Sequence, residues 1–293
     1  MRITNNIISR QSLEGIQRNL AAMEEAQRRV TSGLRIEKPS DDPAGALGIL
    51  GADRRLSALD QYGRNIGSAA SRLAAEETVL DSVTGILERA RSLAVSQATG
   101  TATAQTRAIT KIEVDQLLSE AIALGNTQFG GAYLFGGQFA DAAPFDANGA
   151  TSTARPPTGS ATVENHAGQQ ISVQHDAIEV FVDTEALAAL QDLSAGLGAD
   201  DTAAIGSALT RLDTAHTNVQ NVLGETGANV NQLEVAKANI DSLGVTLRTF
   251  RSDLSEVEME EAISKLVTRQ TAFQAALAAT SRMISLTLTD YLR

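Results

Sequence analysis

The sequence contains no cysteine and no tryptophan, and aromatic residues make up only 3% of its 293 residues. The lack of cysteine excludes disulfide bonds, thiol nucleophiles and cysteine-ligated metals. Since aromatic side chains usually supply much of a thick core, the 43% hydrophobic content here comes mainly from Ala, Leu, Ile and Val. Such residues form narrow helical seams, so the composition favours a helical rod over a globule.

Long apolar runs are missing as well. No stretch approaches the roughly 18 apolar residues of a membrane-spanning helix. The start MRITNNIISRQ also lacks the apolar region of a cleaved secretory signal. We therefore expect no membrane partner, and we expect export, if it occurs, to proceed without a cleaved signal peptide.

Basic residues are scarce in the middle of the chain. Between Phe139 and Ala203 there are ten acidic side chains and a single basic one, Arg155. The two ends carry acidic and basic residues in nearly equal number. We expect the middle to be a solvated acidic surface. With a net charge of −11, the chain is poorly suited to nucleic acid, so no nucleic-acid partner is expected.

What the sequence does contain is a heptad pattern at both ends. In the C-terminal arm, apolar residues recur every seventh position from Leu212 to Leu254, with a break only at Thr226. In the N-terminal arm, a similar series runs from Ile66 to Ala94, and Glu76 interrupts its companion seam. Each stripe requires a partner helix. The sequence therefore predicts a mainly α fold, with the two arms forming a long antiparallel helical bundle or coiled coil.

The middle of the chain lacks the heptad pattern. Alternating apolar residues predict strands at 161–165, 170–174 and 177–182. We thus expect three parts: an N-terminal helical arm over 1–138, a small inserted β-containing acidic module over 139–203, and a C-terminal helical arm over 204–293.

Few residues suggest chemistry. Ser40, Asp41, Asp42 and Pro43 lie between two predicted helices, where paired carboxylates could bind a metal but are better suited to capping the helix that begins at Pro43. The three histidines lack the spacing of a zinc site and are interpreted as surface or packing residues. We predict no enzyme activity, no catalytic residue, no metal and no cofactor.

Both ends of the chain remain apolar almost to the last residue, which a self-contained bundle rarely needs. This pattern indicates an assembly interface. The residues that carry this pattern are Ile3, Ile7 and Ile8 at the start and Ile284, Leu286, Leu288 and Leu292 at the finish.

Motifs at both ends carry a resemblance that spans nearly the whole chain. The N-terminal motifs are Arg2-Ile-Thr-Asn-Asn, Arg29-Val-Thr-Ser-Gly-Leu-Arg-Ile and Ser40-Asp-Asp-Pro-Ala-Gly. The C-terminal motifs are Gly224-Glu-Thr-Gly-Ala-Asn-Val-Asn-Gln-Leu-Glu, Glu258-Met-Glu-Glu-Ala-Ile-Ser-Lys-Leu and Ser285-Leu-Thr-Leu-Thr-Asp-Tyr-Leu. In this order they resemble the bacterial flagellin superfamily.

The resemblance implies an extracellular structural subunit of the flagellum. The assembly interface that it implies comprises Ile3, Ile7, Ile8, Leu13, Ile16, Leu20, Phe273, Leu277, Ile284, Leu288 and Tyr291. Two roles are open, the filament subunit itself and the subunit that joins hook to filament. Pro43 and the Asp290-Tyr-Leu ending favour the second. The implied partners are further copies of the chain in a ring or collar, an adjacent hook-associated protein, flagellin, and an export chaperone on the C-terminal arm. A non-flagellar coiled-coil surface protein or adhesin is a third alternative.

Overall fold

The computed structural model describes residues 2–164, 168 and 170–291. Most of these residues are helical, which confirms the predicted mainly α fold. The α-helices are α1 Arg2–Ser32, α2 Pro43–Gln97, α3 Ala104–Gly125, α4 Ala186–Gly198, α5 Thr202–Ser255 and α6 Met259–Tyr291. The strands form two short antiparallel hairpins, β1 Gln128–Phe129 with β2 Ala132–Tyr133 and β3 Thr162–Glu164 with β4 Gln170–Ser172.

The chain divides into two compact units. The terminal unit comprises Met1–Ser57 and Gly244–Arg293, and the central unit comprises Ala58–Leu243. Each unit therefore combines segments from the N-terminal and C-terminal halves of the chain. This pairing is what the two heptad arms predict, because neither stripe can be buried alone.

In the central unit, α2 and α5 run antiparallel. Arg91 pairs with Asp213, and His216 lies 3.4 Å from Glu88, so residue numbers fall on one helix as they rise on the other. The heptad seam of α2 is fully buried, with Leu73 and Leu80 at 0% exposure. Burial of this seam stabilises the pair of long helices.

The middle of the chain supplies the aromatic core of the central unit. Phe181 packs edge-to-face against Phe135, with ring centroids 5.4 Å apart, and against Phe145 at 5.5 Å. The helix α4 adds Leu190 and Leu193, both without solvent exposure. The acidic surface of this segment therefore covers an apolar interior.

The strand predicted at 177–182 is wrong, because Ile178–Val182 forms a π-helix. The alternation of Ile, Val and Val in this segment resembles a strand, yet Ala177, Val180 and Phe181 are all completely buried. A strand would direct Val180 and Phe181 to opposite faces, whereas a helical turn places positions i, i+3 and i+4 on one face. The other two predicted strands are confirmed by the β3–β4 hairpin, in which Val163 pairs with Ile171.

Candidate assembly interface

The helices α1 and α6 pack against each other in the terminal unit. An antiparallel bridge joins Leu34 to Glu256, and the Val257 N–H donates to the Gly33 carbonyl at 3.0 Å. The end of α1 thus lies beside the start of α6, so the two helices run in opposite directions.

One side of this helix pair carries large apolar side chains in solvent. Leu13 and Leu20 are exposed. Each directly follows a partly buried residue, Ser12 before Leu13 and Asn19 before Leu20. On α6, the exposed Ile263 likewise follows the buried Ala262. One residue along the chain corresponds to about 100° of rotation about the helix axis. In two antiparallel helices that pack face to face, a one-residue step from the packed face leads to the same side of the pair on both helices. Leu13, Leu20 and Ile263 therefore share one flank.

We call this flank the terminal apolar face. Its members are Leu13, Leu20, Met259, Ile263, Val267 and Leu277, whose exposed fractions lie between 37% and 56%. The residues Met259, Ile263 and Val267 are spaced by four, which aligns them along α6. Several exposed apolar residues on one flank are typical of a contact site.

The predicted interface residues fall into three groups. Ile7, Leu13, Leu20 and Leu277 are exposed on the helix surfaces. Ile16 and Phe273 are half-buried. The side chains of Ile3, Ile8, Ile284, Leu288 and Tyr291 lie outside the described residues, so their role in assembly stays a prediction.

Apart from Leu277, sequence reasoning missed the α6 half of the face. Met259, Ile263 and Val267 were not among the predicted interface residues, although their four-residue spacing is a readable signal. Four further apolar residues of the terminal unit are also exposed, on the first turns of α2 and the last turns of α5: Leu47, Leu50, Val245 and Phe250. The apolar surface available for contacts is thus wider than the sequence predicts.

The Ser40–Pro43 segment starts α2 and holds the preceding loop. Asp42 Oδ1 accepts a hydrogen bond from the Gly45 N–H at 3.0 Å, with Pro43 at the first helical position. Asp41 has a different role, since its Oδ2 accepts the N–H groups of Glu37 and Lys38. Ser40 is exposed. Asp42 therefore provides the side-chain cap of the helix, and Asp41 folds the loop back on itself.

The same loop is attached to the end of α5. The Arg35 N–H donates to the Ser255 carbonyl at 2.7 Å, and Arg35 Nη2 donates to the Leu254 carbonyl at 2.8 Å. Gly45 is tightly enclosed, because a Cβ there would lie 2.4 Å from Ile36 Cδ1. These contacts hold the start of α2 against the end of α5 within the terminal unit.

Acid should weaken this capped loop. The hydrogen bond from the Gly45 N–H lowers the pKa of Asp42 below its ordinary value, and that from the Lys38 N–H does the same for the pKa of Asp41. A carboxyl group whose pKa is lower in the folded state than in the unfolded state stabilises the fold at pH values above its unfolded-state pKa. This stabilisation is lost as the pH falls through the folded-state pKa. In Asp42→Asn an amide oxygen can still cap the helix but does not titrate. We expect its thermal midpoint, followed by circular dichroism, to fall less steeply below about pH 4.

A suitable control is Asp253→Asn, because Asp253 is an exposed carboxylate in the same unit. Its thermal midpoint should fall below about pH 4 as steeply as that of the parent chain. If the thermal midpoint of Asp42→Asn fell as steeply as that of the parent chain, this would contradict the contribution of the Asp42 cap to stability.

A buried charge network lies in the central unit. Glu76 has no solvent exposure and His175 is 2% exposed. Glu76 Oε2 lies 3.2 Å from His175 Nδ1, and Glu76 Oε1 lies 3.7 Å from Arg72 Nε. Burial raises the pKa of Glu76. At His175 burial opposes the charged form, but the hydrogen bond and charge of Glu76, with lesser help from Glu179 and Glu225, outweigh it and raise the pKa. The interruption of the α2 seam at Glu76 is therefore a buried ionic contact.

The remaining histidines agree in part with the packing interpretation. His216 is mostly buried beside Glu88. His166 lies outside the described residues. In the part of the chain that the structure describes, no helix is both long enough and apolar enough to cross a membrane.

Comparison with known proteins identifies the chain's relatives. Residues 3–140 match the bacterial flagellin N-terminal helical region, and residues 209–292 match the C-terminal helical region. Flagellar hook-associated protein 3 of Escherichia coli (strain K12) is 29% identical, and the alignment covers 98% of both chains. Flagellin of Bacillus subtilis (strain 168) is 28% identical, with 95% of this chain and 94% of the relative covered.

A solved structure shares the fold. The flagellar junction protein FlgL from Legionella pneumophila superposes with a TM-score of 0.58 at 14% identity, covering 71% of this chain and all of that one. The two helical regions together account for most of the sequence, in the order that the terminal motifs indicate. The chain therefore belongs to the bacterial flagellin family, whose members are structural proteins of the flagellum.

Proposed function

We propose that this protein is the structural subunit that joins the flagellar hook to the filament. The observation that carries the proposal is the end-to-end match to a flagellar hook-associated protein 3, which leaves almost no part of either chain unaligned. The terminal apolar face supports it, because a junction subunit must contact neighbours on several sides and needs no chemistry of its own.

The strength of the terminal apolar face is suited to assembly in a ring. Full burial of a large aliphatic side chain is worth about 1.5–3 kcal/mol, and these six are already about half covered. Completing their burial would contribute about 1 kcal/mol each, or roughly 6 in total. Association costs about 4–15 kcal/mol. The gain is comparable to the lower part of this cost, so one such contact gives at most weak association, and contacts with several neighbours at once would stabilise the assembly.

The partners follow from this role. Further copies of the chain would form a ring or collar, with an adjacent hook-associated protein on one side and flagellin on the other. The apolar termini would need an export chaperone on the C-terminal arm before secretion, since an uncovered face of this kind promotes aggregation. The assembled protein would be extracellular and would be exported without a cleaved signal peptide. The proposed division remains an N-terminal arm to residue 138, an acidic module over 139–203 and a C-terminal arm from residue 204.

The filament subunit is the second candidate. It is favoured by the match to Bacillus subtilis flagellin, which covers nearly the same share of the chain at similar identity. Membership of the flagellin family argues against the third alternative, a non-flagellar coiled-coil surface protein or adhesin.

A deletion strain distinguishes the two flagellar roles. If the protein joins hook to filament, electron microscopy should reveal bare hooks, and monomeric flagellin should accumulate in the culture medium. Filaments that are present but shortened or fewer would instead identify the chain as one flagellin among several. Intact motility with normal filaments would contradict both roles. Restoring the gene on a plasmid is the control.

A further inference from the structure

Three side chains with metal-binding atoms converge in the central unit. His175, Glu179 and Glu225 each offer one ligand atom, and these atoms lie within 4.8 Å of one another. His175 precedes the π-helix, Glu179 belongs to it, and Glu225 lies on α5. The cluster therefore connects two segments that are distant in sequence. It plays no part in the terminal apolar face.

The imidazole of His175 is held in a defined orientation. The buried Glu76 lies 3.2 Å from its Nδ1, which leaves Nε2 as the ring nitrogen for a ligand. In metal sites a histidine commonly donates its second N–H to a carboxylate, which fixes the tautomer and makes the ligating nitrogen more basic. Glu76 and His175 already have this arrangement.

The π-helix brings Glu179 to the cluster. The Glu179 N–H donates to Asp176 Oδ1 at 2.9 Å, and the Gly159 N–H donates to Asp176 Oδ2 at 3.0 Å. Asp176 thus fixes the first turn of the π-helix, and both of its carboxylate oxygens accept hydrogen bonds from backbone N–H groups. π-Helical turns are rare and often occur at functional sites. Here Glu179 follows His175 by four residues, and this turn holds their ligand atoms within 4.8 Å of each other.

Negative charge is concentrated at this point. Burial is the largest effect and raises the pKa of Glu179; the charge of His175 opposes it, and the smaller effects of the Asp176 and Glu225 charges raise it further. Glu179 is half-buried, whereas Glu225 reaches solvent. A divalent cation would compensate the repulsion between the carboxylates more completely than the single imidazole does.

We propose that His175, Glu179 and Glu225 bind a divalent transition-metal ion and that Zn²⁺ fits this donor set best. One imidazole nitrogen and two carboxylate oxygens are ordinary zinc ligands, and water would fill the remaining position. Bonds of about 2.0–2.2 Å would bring the ligand atoms to roughly 3.3 Å from one another. The exposed side chain of Glu225 can make that movement. The bound ion would tie the π-helix to α5, in contrast to the absence of metal expected from the sequence.

Titration calorimetry on the untagged full-length chain tests the proposal. The protein is first treated with EDTA, dialysed free of chelator and then titrated with ZnCl₂ at about pH 8, where protons compete weakly for the ligands. We expect one Zn²⁺ per chain, together with a higher thermal midpoint in ZnCl₂ than in MgCl₂, because a ligand specific to the folded state stabilises it.

Glu225→Gln is the informative variant, since Glu225 is exposed and its loss should leave the fold intact. We expect Zn²⁺ to bind at least about 10-fold more weakly to this variant. Glu234→Gln is the matched control, because Glu234 is also exposed on α5, and it should bind as the parent does. The absence of Zn²⁺ binding to the parent would overturn the proposal. So would equal affinity of the parent and Glu225→Gln, because the metal would then bind elsewhere.

Discussion

Replacing Leu13 by aspartate is expected to abolish filament attachment while leaving the monomer folded. Leu13 is 55% exposed, so its replacement should change the free energy of unfolding by no more than about 0.5 kcal/mol. In the assembled state a neighbour would cover the same position. An unpaired carboxylate buried there costs several kcal/mol, which exceeds what one apolar contact contributes. The measurement is complementation of the deletion strain, scored by swimming and by electron microscopy of hooks and filaments.

Gln11→Asp is the matched control for this variant. Gln11 is also exposed on α1, and two residues of separation turn it by about 200° from Leu13. It adds the same charge on the opposite flank and should restore filaments. Equal thermal midpoints of the two purified variants would show that folding is not the cause of the difference. Normal filaments in the Leu13→Asp strain would contradict a role of this face in assembly.

Replacing Glu76 by alanine is expected to lower the free energy of unfolding by about 3–5 kcal/mol, the usual cost of removing one partner from a buried ion pair. Glu76 is fully buried, and its carboxylate lies against His175 and Arg72. Without it, the buried imidazole would lose the carboxylate that contacts it, and the partly buried guanidinium of Arg72 would lose this ion pair. Urea unfolding followed by circular dichroism measures the effect, with EDTA present so that metal binding does not contribute.

The neighbouring Glu77 provides the control. It is exposed on the same helix, so Glu77→Ala should alter stability by no more than about 0.5 kcal/mol. Helix propensity is affected almost equally by the two substitutions, and the difference between them isolates the buried contact. Similar stabilities of the two variants would mean that Glu76 contributes nothing through His175 and Arg72.

The two interruptions of the heptad seams have different explanations. Thr226 has no solvent exposure, and its Oγ1 donates to the Val222 carbonyl at 2.9 Å. Its polarity is satisfied within its own turn of helix, so the seam tolerates it. Glu76 is satisfied only by residues of other segments. In the sequence, both are polar residues at apolar heptad positions. Only their hydrogen-bond and ion-pair partners in the structure distinguish them.

The cluster around His175 could not be found by spacing. Its members lie on segments separated by up to fifty residues of chain, and the π-helix that positions Glu179 was predicted as a strand. A π-helical turn depends on the burial of Val180 and Phe181 against the aromatic core, which local alternation does not reveal. The apolar stripe of α6 is a different case, since the regular four-residue spacing of Met259, Ile263 and Val267 can be read from the sequence.

The sequence by itself determined the helical class, the pairing of the two arms and membership of the flagellin family. These follow from local hydrogen bonds and a seven-residue period, which short stretches of chain already contain. Tertiary structure alone decided which apolar residues stay in solvent as the terminal apolar face and which polar ones are buried. Exposure and ionic pairing depend on neighbours far away in the chain, as with Glu76 and His175, 99 residues apart, and no local pattern encodes them.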